Sequence, residues 1–163
     1  MTWAEGGSYE GNWDSDKIIG FGVYIWGKGS KEGCSYTGSM ENGRMQGFGI
    51  YHYKDGRRYE GFYTRDKRQG YGMYCMGNEE NMTYSGAWFE GKQHGYGCTV
   101  SQAKDDPKFG IYYHGVKKIR ITSEEAGSVQ DDLIDLAHQV KNLEGVEDAA
   151  SFWHDISVLS DKF

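Results

Sequence analysis

Tyr59-Glu60-Gly61-Phe62-Tyr63 and, shortly after it, Gly70-Tyr71-Gly72-Met73-Tyr74 decide how this 163-residue chain folds, because both pentapeptides return along it. The first has counterparts in Tyr9-Glu10-Gly11-Asn12-Trp13, Tyr36-Thr37-Gly38-Ser39-Met40 and Tyr84-Ser85-Gly86-Ala87-Trp88, with a worn copy in Lys108-Phe109-Gly110-Ile111-Tyr112. The second has counterparts in Gly20-Phe21-Gly22-Val23-Tyr24, Gly47-Phe48-Gly49-Ile50-Tyr51 and Gly95-Tyr96-Gly97-Cys98-Thr99. The two anchor glycines of a copy are always nine residues apart, whereas successive first anchors are 27, 23, 25 and 24 apart. The link within a copy is therefore fixed, and the link between copies tolerates insertion.

Alternation of period two marks both elements as strands. Tyr9, Gly11 and Trp13 share one face, as do Gly20, Gly22, Tyr24 and Trp26. Turn residues such as Asn42-Gly43 and Glu90-Gly91 stand between them and accept positive φ. Each copy is predicted to be a β-hairpin, and the hairpins to continue one twisted antiparallel meander. Glycine normally weakens a strand; here glycines recur opposite rings, so rings are expected to lie across bare backbone. One hairpin is not stable alone, so stacked copies must supply the core.

Composition agrees. Glycine is 25 of 163 residues and aromatics are 15%, a pairing that suits repetitive β-structure rather than disorder. One proline excludes collagen and proline-rich linkers, and mean hydropathy of -0.75 with 26% charged residues excludes an integral membrane protein. The start, Met1 to Gly11, has neither the basic nor the apolar region of a signal peptide. Cys34, Cys75 and Cys98 lack CxxC spacing and are expected to be free thiols in a reducing, cytoplasmic setting.

The composition breaks near Ile121, so residues 1–121 are expected to form the array and 122–163 an acidic helical tail. The first part has 23 of the 25 glycines, no leucine and net charge +2; the second has every leucine and net charge -8.

Tyr-x-Gly followed nine residues on by Gly-aromatic-Gly-x-Tyr resembles the MORN repeat (membrane occupation and recognition nexus) over about Met1 to Lys118. Trp3-Ala4-Glu5-Gly6 precedes Tyr9 as Tyr53-Lys54-Asp55-Gly56 precedes Tyr59, giving a half repeat, four full repeats and a worn fifth half repeat. Met40, Thr99 and Lys108 depart from the pattern. The resemblance implies a single sheet of hairpins. The layout of a small array with a helical tail is also similar to the retinophilin-like group, whose partner is the tail of class III myosins.

In the tail, Val129, Leu133, Leu136, Val140 and Leu143 follow a 4-3-4-3 spacing, one apolar stripe on a helix over about 128–144. Ser128 and Asp131 have capping-box spacing, and Gly145 suits the stop. Ala149, Phe152, Ile156, Leu159 and Phe163 predict a second helix over about 147–161. The first helix is expected to dock on the sheet through its stripe; the alternative is a helix that binds another protein.

Catalytic signals fail. Gly22 to Gly29 imitates a P-loop but has Gly29 where Ser or Thr must hold Mg²⁺. His52, His94, His114, His138 and His154 show no metal-ligand spacing, and no Gly-x-Ser-x-Gly elbow occurs. No cofactor, no metal and no catalytic residue is expected.

Two constellations remain. Trp13, Tyr24, Trp26, Tyr51, Tyr53, Tyr63, Tyr74, Trp88 and Tyr112 form one aromatic face, either the core of the array or a partner-binding groove. Lys17, Arg44, Lys67 and Lys92 each stand six residues beyond a first anchor and so line one rim. The expectation is a non-catalytic scaffold whose groove takes a helix or peptide of a cytoskeletal or motor protein, steered by the basic rim. No nucleic-acid partner is expected. Alternatives are attachment to anionic membranes, which the small charge of the array disfavours, and self-association, including a homodimer, through open sheet edges.

Overall fold

A computed structural model describes residues 1–77, 81–101, 103–104 and 107–122. Ten strands run in chain order: β1 (Ser8–Asp14), β2 (Lys17–Ile25), β3 (Ser35–Glu41), β4 (Arg44–His52), β5 (Arg58–Thr64), β6 (Lys67–Cys75), β7 (Met82–Phe89), β8 (Lys92–Ser101), β9 (Lys108–Tyr113) and β10 (Val116–Ile121). They form one antiparallel sheet in which every strand pairs with its neighbours in sequence. The predicted meander is thus the observed architecture, with β1 and β10 at its edges. The tail helices, and with them Val129, Leu133, Leu136, Val140 and Leu143, lie outside the described residues.

Every hairpin closes through two residues of positive φ: Ser15-Asp16, Asn42-Gly43, Arg65-Asp66, Glu90-Gly91 and His114-Gly115. This is the turn whose twist matches paired strands. The turns also lock neighbouring hairpins together. The amides of Gly43, Asp66, Gly91 and Gly115 donate to the carbonyls of Ile18, Met45, Arg68 and Gln93, each in the preceding hairpin, at 2.8–3.0 Å. Asp66 adds its carboxylate, which accepts from the Met45 amide at 2.8 Å. Inserting a residue here would break the contact, which explains the constant nine-residue spacing.

Register aligns the anchors into rows. Gly11, Gly22, Gly38, Gly49, Gly61, Gly72, Gly86, Gly97 and Gly110 face one another directly across nine strands. The two glycines of Gly-aromatic-Gly do different jobs. The first (Gly20, Gly47, Gly70, Gly95) has φ of 65–75° beside a bulge in each hairpin. The second makes room for a ring. A Cβ on Gly22, Gly49, Gly72 or Gly97 would stand 2.3–2.5 Å from the hydroxyl oxygen of Tyr9, Tyr36, Tyr59 or Tyr84.

The opening tyrosine of each repeat lies over its glycine pair and is at most 1% exposed. Its hydroxyl donates to a carbonyl three residues on: Tyr9 to Asn12 (3.4 Å), Tyr36 to Ser39 (2.8 Å), Tyr59 to Phe62 (3.1 Å) and Tyr84 to Ala87 (2.9 Å). Edge-to-face contacts join these rings to Trp13, Tyr63, Trp88 and Tyr112 at 5.0–5.4 Å. A single-layer sheet thereby builds a core from aromatic rings on one face.

The fifth copy is a complete hairpin, β9 with β10, although the sequence shows only its first anchor. Ile119 stands where the second anchor glycine would be, next to a register shift.

Candidate functional site

The nine rings read from the sequence occupy one face but not one environment. Tyr51, Tyr63, Trp88 and Tyr112 are buried in the core. Trp88 is also tied down by its indole N–H, which donates to the Gly72 carbonyl at 3.0 Å. Tyr24, Trp26, Tyr53 and Tyr74 are half-buried and pack on the edge of that core. Trp13, 40% exposed, sits near the opposite end of its hairpin, edge-on to Tyr9 at 5.3 Å.

The half-buried rings, with the buried Tyr51 between them, form a ladder across the sheet. Its steps are Trp3–Tyr24 at 5.4 Å, Tyr24–Trp26 at 4.7 Å, Trp26–Tyr51 at 5.1 Å, Tyr51–Tyr53 at 4.6 Å and Tyr53–Tyr74 at 6.1 Å. Cations stand over it. Lys31 Nζ lies 5.0 Å above Trp26, and the Arg57 guanidinium 4.7 Å above Tyr53. Arg68 lies between Tyr59, Tyr74 and Trp88 at 4.2–5.5 Å and donates to the Gly91 carbonyl at 2.6 Å. Arg57 is oriented by Asp55 at 2.7 Å and donates to the Tyr74 hydroxyl at 3.1 Å. At the Trp3 end the ladder opens into a hollow lined by Tyr24, Trp26 and the loop Gly27–Lys31.

Trp3 was within reach of sequence reasoning. Its turn carries the same pair of hydrogen bonds as Tyr53–Arg57: Trp3 N–H to the Gly7 carbonyl and Gly6 N–H to the Trp3 carbonyl, both 2.9 Å. Lys31 and Arg57 lie in loops with no fixed spacing, and the positions equivalent to Arg68 are Ile18, Met45 and Gln93 in the other full copies; only the worn fifth copy repeats the cation, Lys117, 5.2 Å over Tyr112.

Lys17, Arg44, Lys67 and Lys92 open β2, β4, β6 and β8 and are exposed along one rim. The rim is not a cation ladder alone. Asp14, Asp16, Glu41, Asp66 and Glu90 share these turns, and Lys67 pairs with Glu90 at 3.1 Å in the open. Of the positive groups that touch rings, Lys31 and Arg57 are at the other end of the hairpins, whereas Arg68 and Lys117 stand just inside this one.

Burial dominates the electrostatics of the face. It pushes the hydroxyls of Tyr36, Tyr59, Tyr63 and Tyr84 well above the usual tyrosine range; neighbouring tyrosines or Asp66 add to the shift, while the Arg68 charge opposes it at Tyr59 and Tyr63. Among the described residues no group of three or more His, Cys, Asp or Glu could hold a metal ion.

The family profile described as MORN repeat matches residues 9–31, 36–57, 59–78 and 84–102, which together make just over half of the chain. The chain belongs to the MORN-repeat family. MORN repeats are found in protein-binding and membrane-associated proteins. No curated protein is similar enough to count as a match. Within the MORN array the matched segments begin at Tyr9, Tyr36, Tyr59 and Tyr84, the four rings that cover the glycine row.

Proposed function

We propose that this MORN array is a non-catalytic scaffold that takes a segment of another protein on its tyrosine face. The observation that carries this reading is the ladder from Trp3 to Tyr74, five half-covered rings linked through the buried Tyr51, with Lys31 and Arg57 above it. Rings held rigidly from below offer large contact area at low entropic cost, and the cations select acidic or carbonyl-rich partners. A helix or extended peptide fits such an open strip better than a small molecule, which needs enclosure. The partner class that the layout suggests is the tail of a cytoskeletal or motor protein, as in the retinophilin-like group.

The test is affinity capture with the full chain, in parallel with Trp26→Ala/Arg57→Glu. The parent retains a partner and the variant loses it by the roughly 2–4 kcal/mol typical of a central aromatic anchor. Equal capture by a variant with parental circular dichroism would overturn the reading, and so would sedimentation of the parent with phosphatidylserine vesicles.

A further inference from the structure

The sheet has a second face, and its burial is uneven. One row of side chains runs across it through Val23, Ile50, Met73, Cys98 and Phe109, in direct register from β2 to β9. At the β2 end the face is open: Phe21, Val23 and Ile25 are 37–44% exposed. From the middle of the sheet onward Phe48, Glu60, Met73, Ser85, Cys98 and Phe109 are only 2–6% exposed, although Tyr96 beside them stays 47% exposed. Rings stand on this face too, Phe48 edge-on to Phe62 at 5.9 Å, but the buried row itself includes the Glu60 carboxylate, a serine and a cysteine, which cannot cover their neighbours. Strands of one sheet pack chiefly on their sequence neighbours, and a single layer does not bury both its faces. The strands alone do not account for the cover on this row from β5 to β9.

We infer that the acidic segment 123–163 is that cover, and that its stripe Val129, Leu133, Leu136, Val140 and Leu143 lies on the face opposite the tyrosines. The chain leaves the sheet beside the buried half: Ile121 ends the same row and packs with Cys98, Phe109 and Val100. The segment holds every leucine of the protein, and its net charge of -8 faces an array of +2. The tyrosine face is then left to a partner while the chain itself covers the other.

Cys98 reports on this contact, because burial raises its thiol to about 11 and hides its sulfur; Cys34, buried on the tyrosine face, is the internal control. The experiment labels the full chain with a thiol-reactive disulfide, in the parent, in Leu133→Asp/Leu136→Asp and in the milder Leu136→Ala. Cys98 should react at least tenfold faster in the double variant and by a smaller factor in Leu136→Ala, with Cys34 and the far-ultraviolet sheet signal unaltered. Unaltered Cys98 labelling in the double variant overturns the inference, as does acceleration at Cys34 instead. Cys98 protection in the parent that fades on dilution assigns the cover to a second copy and overturns it too. If the double variant unfolds, Leu136→Ala alone decides.

Discussion

Gly72→Ala adds one methyl group at the centre of the array, and the geometry says what that methyl meets. Its carbon would stand 2.4 Å from the Tyr59 hydroxyl oxygen and 2.6 Å from the carbon bearing it, where ordinary contact begins at 3.4 Å. Gly72 has no left-handed φ, so the cost is steric rather than conformational. Tyr59 is fully buried and held by edge-to-face contacts with Tyr63 and Trp88 at 5.1 and 5.2 Å. Moving the ring forfeits its hydroxyl bond to Phe62, worth about 0.5–1.5 kcal/mol. Overpacking adds about 1–3 kcal/mol. A total near 3 kcal/mol lowers Tm by roughly 6–12 °C. Thermal and urea unfolding followed by circular dichroism measure it. The decisive comparison is a cycle with Tyr59→Ala, because without the ring the methyl has space and Gly72→Ala should then cost under about 1 kcal/mol. An equal cost in both backgrounds would refute the idea that the glycine row exists to seat rings.

Two further predictions concern the same core and its turns. Tyr36, Tyr59, Tyr63 and Tyr84 have folded-state values raised above the ordinary 10, so the unfolded chain ionises first; their stability is intact below pH 10 and is lost as pH rises beyond it. At about 1.4 kcal/mol per pH unit each, four such groups remove roughly 5 kcal/mol per unit. Against a stability of about 5–10 kcal/mol, unfolding should come within about one to two units above pH 10. The share of tyrosinate absorbance that these four rings contribute should appear together with loss of the sheet signal, and full ionisation of all 13 tyrosines with the sheet intact would contradict this. Arg65 occupies positive φ (49°) in an exposed turn without glycine, so Arg65→Asn should raise the urea midpoint by the equivalent of about 0.5–1 kcal/mol, and a lowered midpoint would refute turn strain at that site.

The strand meander was legible because the constraints on it are local and repeat: a tyrosine, a glycine two residues later, and a turn at fixed distance. The fifth hairpin was only half legible, since Ile119 replaces the anchor glycine and register with β9 supplies what the motif lacks. The aromatic face was legible as a set, but alternation cannot grade burial. Tyr63 and Tyr74 read alike in sequence, yet one is locked between Tyr36 and Tyr59 while the other lies at the margin under Arg57 and Arg68. The cations on the ladder escaped because Lys31 and Arg57 stand in connecting loops, where length and sequence vary from copy to copy, and Arg68 is the one charged residue at its position in the four full copies. Spacing along one copy therefore does not announce them.

The turn-to-hairpin hydrogen bonds make one end of the sheet a ruler. Gly43, Asp66, Gly91 and Gly115 mark off equal divisions there, while connections of nine, five, six and six residues at the far end leave the divisions unchanged. Each added hairpin lengthens the tyrosine face by two strand spacings, about 9.5 Å. The nine intervals of the ten-stranded sheet span about 43 Å. A ligand helix laid along it would need about 29 residues to run from end to end, at roughly 1.5 Å per residue. Repeat number thus becomes a length code: gaining or losing a hairpin changes how much of a partner can be read without altering the chemistry of any single reading position.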